Sequence, residues 1–73
     1  MNIGQAVEAM RSGARVARSG WNGKGMWIAL HEANHNETMT EPFVYMRTAQ
    51  GCLIPWLCSQ ADLLAVDWTI VAA

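Results

Sequence analysis

The sequence contains no apolar run long enough to cross a bilayer, which excludes a transmembrane helix. Residues 1–5 lack the basic stretch followed by an apolar one that marks a secretory signal, so the cytosol is the expected location. Cysteine is scarce. Cys52 and Cys58 are the only two, and in a reducing compartment such a pair is expected as buried free thiols. Together with His31 and His35 they could be drawn as zinc ligands. The C-x5-C spacing is wider than a zinc knuckle uses, however, and His35 falls in a polar stretch, so no metal site is expected.

Charge is also sparse. Five Lys and Arg against six Asp and Glu give a net charge of −1, unlike a protein that grips DNA or RNA through many phosphates. Four of the five cations fall between Arg11 and Lys24, which leaves room for a local basic site. A P-loop, a dinucleotide fingerprint, a nucleophile elbow and an H-E-x-x-H helix are all missing. Ser59 with His31 or His35 could be written as nucleophile and base, but capping explains Ser59 and Asp62 without catalysis. Asp67 reads as a solvated strand end, and Glu32, Glu37 and Glu41 as a solvated surface. No catalytic residue and no cofactor is expected.

What is present is apolar surface. Hydrophobic residues make up 52% of 73 positions, and four are tryptophans, more than one small core easily hides. The surplus implies a subunit interface or a ligand pocket, and an oligomer is the default expectation.

The local patterns read as seven elements. Ile3, Ala6, Val7 and Met10 recur on one helical face, with Asn2 and Gln5 as a capping box and Gly13 as the stop, so the helix ends near Ser12. Residues 14–18 alternate as a short strand with Arg15 exposed, and 26–30 form a continuous apolar strand. Between them runs a glycine-rich turn, 19–25. Residues 31–42 are polar and read as a mobile loop. A strand over 43–48 turns at 49–51, where Gly51 takes positive φ, into a strand over 52–54 that Pro55 ends. Ser59 and Asp62 form a second capping signature for a short helix through Ala65, turning Leu63 and Leu64 inward, and 67–71 is the last strand. The fold class is α+β: one small domain over 1–73, ordered α-β-β-β-β-α-β, with a mostly antiparallel sheet and two short helices.

Two clusters could hold a ligand. Trp21 sits among Arg18, Asn22, Gly23 and Lys24, and Trp56 precedes Ser59 and Gln60. Each offers a flat apolar face beside polar donors, and stacking a base on such a face contributes roughly 1–3 kcal/mol. Trp27 and Trp68 fit a core or interface role as well as a ligand one.

The strings G-W-N-G-K-G-M-W at 20–27, P-W at 55–56, S-Q-A-D-L-L-A at 59–65 and D-W at 67–68 are rich in rare residues. With the N-terminal helix they make the chain resemble the second family of phage anti-Thoeris proteins, over nearly its whole length apart from 31–42. The resemblance implies a non-catalytic sponge that binds, without cleaving, the cyclic ADP-ribose isomer made by TIR-domain enzymes during infection. It also implies a homotetramer with pockets where subunits meet, and some relatives take cyclic dinucleotides, which leaves a second ligand open. Carried onto this chain, Trp21 stacks a base, Asn22 and the Gly23 backbone meet ribose or phosphate, and Arg18 or Lys24 balances charge. Trp56, Ser59 and Asp62 complete the wall, and Trp27 is counted with them. The competing reading is a structural or protein-interaction module that binds no nucleotide.

Overall fold

A computed structural model describes residues 1–32 and 38–72. The element order is α1 (Ile3–Arg11), β1 (Arg15–Arg18), β2 (Trp27–His31), β3 (Phe43–Arg47), β4 (Leu53–Pro55), α2 (Gln60–Leu63) and β5 (Trp68–Val71). The α-β-β-β-β-α-β order expected from the sequence is present. The five strands form one sheet in the order β4-β3-β2-β1-β5, and every pairing is antiparallel.

α1 begins as its sequence dictates. The Asn2 side chain accepts from the Gln5 N–H and the Gln5 side chain accepts from the Asn2 N–H, each at 2.9 Å. The helix stops because Gly13, at φ 93°, takes a left-handed conformation that a side chain resists. Its apolar stripe packs against β1, β5 and β2. Ala6 and Met10 meet Val16, Ile28 and Trp68 in a core of five buried residues, with Met46, Val44 and Leu30 packed against it.

Alternation along the strands assigns the faces. Val16, Ile28 and Met46 share one register line and point toward α1. Trp27, Ala29 and His31 on β2, and Phe43, Tyr45 and Arg47 on β3, therefore point the other way. No described helix covers that second face. Tyr45 and Met46, consecutive on β3, thus divide between the two faces, Met46 inward and Tyr45 outward.

Four expectations need correction. α2 spans four residues rather than reaching Ala65, and one turn cannot bring two consecutive leucines onto one face. Leu63 and Leu64 are accordingly 43% and 75% exposed. The thiols are not buried: Cys52 is exposed beside the hairpin turn and Cys58 is half-buried. Pro55 belongs to β4, paired with Tyr45 at a sheet edge where its missing N–H costs nothing. His31 joins β2, so the loop expected over 31–42 starts one residue later; Ala33, Asn34, His35, Asn36 and Glu37 lie outside the described residues.

Candidate functional site

The first cluster lies where β1 ends beside β5. Arg18 is the Cα partner of Trp68, so its side chain emerges on the α1 face next to the residue that follows Asp67. Arg18 Nε donates to Asp67 Oδ1 at 2.7 Å, and Arg18 Nη1 donates to Asp62 Oδ1 at 2.8 Å. All three side chains are mostly shielded, with 14–30% of their side-chain surface exposed. These ion pairs hold the Arg18 pKa above its ordinary value, Asp67 contributing most. Burial pushes the Asp62 carboxyl up, but hydrogen bonds from Arg18, Trp21 and Ser59 outweigh it and leave the pKa below the usual carboxylate value. Arg18 likewise holds the Asp67 carboxyl low, aided by the Gly20 N–H at 2.9 Å.

Asp62 also orients two aromatics. Its Oδ1 accepts from Trp21 Nε1 at 3.1 Å, and its main-chain oxygen accepts from Trp68 Nε1 at 3.1 Å. Ser59 caps α2 by accepting from the Asp62 N–H. Trp21 meets Trp68 edge to face at 5.3 Å between centroids, and Trp56 meets Trp68 perpendicular at 6.0 Å. The fully buried Trp68 is thus the shared wall between Trp21 and Trp56, each of which keeps a partly open surface.

The loop 19–26 carries the remaining polar groups. Gly20 binds Asp67 so closely that a Cβ would lie 2.9 Å from its Oδ2. Asn22 and Lys24 are exposed, and Gly23 packs against Met26 and Ala49 of the neighbouring hairpin turn. Gly25, at φ 74°, offers its carbonyl to Arg47 Nη1 at 2.8 Å.

A second cluster occupies the uncovered face. Arg15 Cζ stands 4.3 Å from the Trp27 ring centroid, and Trp27 meets Tyr45 edge to face at 5.9 Å. His31 stacks on Phe43 at 4.9 Å beyond them.

The structure therefore brings together Arg18, Trp21, Ser59 and Asp62, and reaches Trp56 through Trp68. It places Asn22, Gly23 and Lys24 on the adjoining loop and sends Trp27 to the other face. Two expectations change. Asp67 is an ion-pair partner rather than a solvated strand end, and Asp62 does more than cap. Sequence reasoning left Asp67, Arg15 and Arg47 outside the site and read Trp68 as core or interface as readily as ligand wall. The Asp67-Trp68 pair and the Arg15-x-x-Arg18 spacing are visible in the sequence, but only the β1–β5 register joins Arg18 to Asp67. Among the described residues, no three His, Cys, Asp or Glu side chains gather as a metal site would require. No described helix is long and apolar enough to cross a membrane.

Comparison with known proteins identifies the family. The family model of the Thoeris anti-defense 2-like domain matches residues 1–71. A curated relative, Thoeris anti-defense 2 of Bacillus phage SP01, is 35% identical over 85 aligned positions, covering 99% of this chain and 96% of the relative.

Proposed function

Because the chain belongs to the Thoeris anti-defense 2-like family, we propose that it works by sequestration, holding a cyclic nucleotide immune signal without altering it. The signal is glycocyclic ADP-ribose, the cyclic ADP-ribose isomer made by TIR-domain enzymes, taken up in the host cytosol during infection. The observation that carries this reading is the orientation of Trp21. A half-buried indole in a glycine-rich loop has its N–H tied to Asp62 and its edge against Trp68, next to the exposed Asn22 and Lys24. An aromatic fixed in advance loses little freedom when a base stacks on it.

The other roles follow from position. Asn22 and the Gly23 backbone meet ribose or phosphate, Lys24 balances charge, and Trp56 and Ser59 close the wall. Arg18 and Asp62 hold the platform, since the Arg18 charge is already divided between two carboxylates. A homotetramer fits the apolar surface left on one protomer, including Leu57, Leu64 and Val66 at 91%, 75% and 78% exposure. A cyclic dinucleotide is the second ligand class to test.

A sponge competes with an effector by mass action and so needs tight binding. A Kd near 1 nM corresponds to about −12 kcal/mol. The test is calorimetric titration with glycocyclic ADP-ribose, then heat denaturation and mass analysis of the released ligand. Tight binding with the ligand recovered intact is expected, weakened at least tenfold by Trp21→Ala. An altered ligand means hydrolysis. No binding to it or to cyclic dinucleotides leaves the protein-interaction module, for which the exposed leucines are the supporting observation.

A further inference from the structure

Five cations serve the whole chain, and they divide into two kinds. Arg11 lies 4.0 Å from Glu8, and Arg18 is held between Asp62 and Asp67. Arg15, Arg47 and Lys24 meet no carboxylate among the described residues. Two of them flank Trp27, and the third precedes it in the chain. Arg15 lies over the ring at 4.3 Å, Arg47 is the Cα partner of Trp27 on β3, and Lys24 sits three residues before it. Arg47 also grips the carbonyl of Gly25, the residue next to Lys24, at 2.8 Å.

A chain of net charge −1 has six carboxylates, yet Arg15 and Arg47, which flank Trp27 on one sheet face, meet none of them among the described residues. Glu8, the acid nearest Arg15 in sequence, lies beside Arg11, and Glu32 and Glu41 flank the opposite ends of β2 and β3, beyond His31 and before Phe43. Like charges gathered on one face repel, and a bound anion removes that cost. Guanidinium groups match phosphate oxygens geometrically, and one resting on an aromatic ring is already fixed in place. Two glycines at positive φ, Gly25 and Gly51, approach the Arg47 guanidinium without side chains: a Cβ on either would lie 2.9 or 3.5 Å from its nitrogens. Arg47 Nη1 also donates to the Thr48 carbonyl at 3.3 Å, so the guanidinium is fixed at the hairpin end.

We propose that the uncovered sheet face carries an anion site for a phosphate or diphosphate group, built from Arg15, Arg47 and Lys24 around Trp27. Arg15 shields the ring, so Trp27 acts here as the support that fixes a cation and not as a platform for a base. The site lies on the opposite face from the Trp21 cluster and stands whether or not that cluster binds a cyclic nucleotide.

The test is a chemical-shift titration of the full chain, at constant ionic strength, with sodium pyrophosphate in one arm and ADP in another. The Trp27 indole N–H and the Arg15 and Arg47 Nε–H signals report binding. Saturable shifts at all three are expected with pyrophosphate. Arg15→Gln should raise the midpoint about tenfold, as loss of one charge-assisted contact would, and Arg11→Gln should leave it unchanged. Arg15 is exposed and rests on the Trp27 ring, so this variant keeps the fold, which thermal melting checks. Tighter binding of ADP than of pyrophosphate assigns a nucleotide as the source; equal binding assigns a free diphosphate. Absent shifts at Trp27, or equal midpoints for the Arg11 and Arg15 variants, overturn the proposal. So does concentration-dependent self-association that Arg15→Gln abolishes without any pyrophosphate response, which would give the face to a second copy.

Discussion

Arg18 Nη1 donates to Asp62 Oδ1 at 2.8 Å across 44 positions of sequence, and the same oxygen accepts from Trp21. The Trp21 indole is therefore coupled to an ion pair that titrates. The Asp62 and Asp67 pKa values both lie below their ordinary value of 3.8 in the folded chain. A carboxyl with a depressed folded pKa stabilises the fold fully above its unfolded value, and that contribution is lost as pH falls through the folded one. Stability should be flat from neutral pH to about 5, then fall as pH drops below about 4. Thermal melting across pH 2–7 checks this, and Asp62→Asn should flatten the acid limb. An unchanged limb would remove the ion pair from the account.

Trp68 links the core to the site. It is 1% exposed, packs edge to face with Trp21 and Trp56, and donates its indole N–H to Asp62. Removing a buried aromatic costs about 3–5 kcal/mol, comparable to the whole stability of a domain this small. Trp68→Ala is expected to be unfolded by circular dichroism. Trp68→Phe should fold, with a lower urea midpoint and a changed Trp21 indole N–H resonance. A Trp68→Phe protein with an unperturbed Trp21 signal would show that the two rings are not coupled.

The elements most legible in the sequence are those set by local chemistry. The Asn2–Gln5 capping box, the Gly13 stop, the Gly51 turn and the Ser59 cap each depend on residues within a few positions, and each is present. The Arg18–Asp67 pair depends on β1 meeting β5 across 49 positions, which periodicity does not encode. The same holds for Arg47, whose partner at Gly25 lies across the β2–β3 register. Trp21 and Trp27 are six residues apart in one motif, yet strand alternation and the loop send them to opposite faces. Leu63 and Leu64 misled for a physical reason. Two apolar neighbours at a helix end suggest a core-facing turn, whereas a four-residue helix leaves both exposed.

Gly13 and Gly25 share positive φ but differ in surroundings, which separates backbone strain from steric conflict. A Cβ at Gly13 meets nothing within 4 Å, so Gly13→Ala should cost only the left-handed conformation, about 1 kcal/mol. At Gly25 the same atom lies 2.9 Å from Arg47 Nη1, so Gly25→Ala should also displace the guanidinium from the loop carbonyl. Urea denaturation should show the larger loss for Gly25→Ala, and only that variant should shift the Arg47 Nε–H signal. Equal losses would mean that Arg47 gives way freely.

Assembly can be tested away from either cluster of cations. Leu57, Leu64, Val66 and Ile70 expose 60–91% of their surface, and none belongs to the buried core. Such residues contribute little to a monomer, because they lose almost no water on folding. They contribute to an oligomer that covers them. Leu64→Glu combined with Val66→Lys should therefore leave the melting of a dilute sample nearly unchanged while lowering the mass seen by sedimentation. If ligand walls are shared between subunits, affinity for glycocyclic ADP-ribose should fall in step with that mass. Retained affinity in a dissociated protomer would locate the whole pocket within one chain, at Trp21. An unchanged mass would show that these residues do not form the contact, and the uncovered aromatic face of β2 and β3 would be the next surface to substitute.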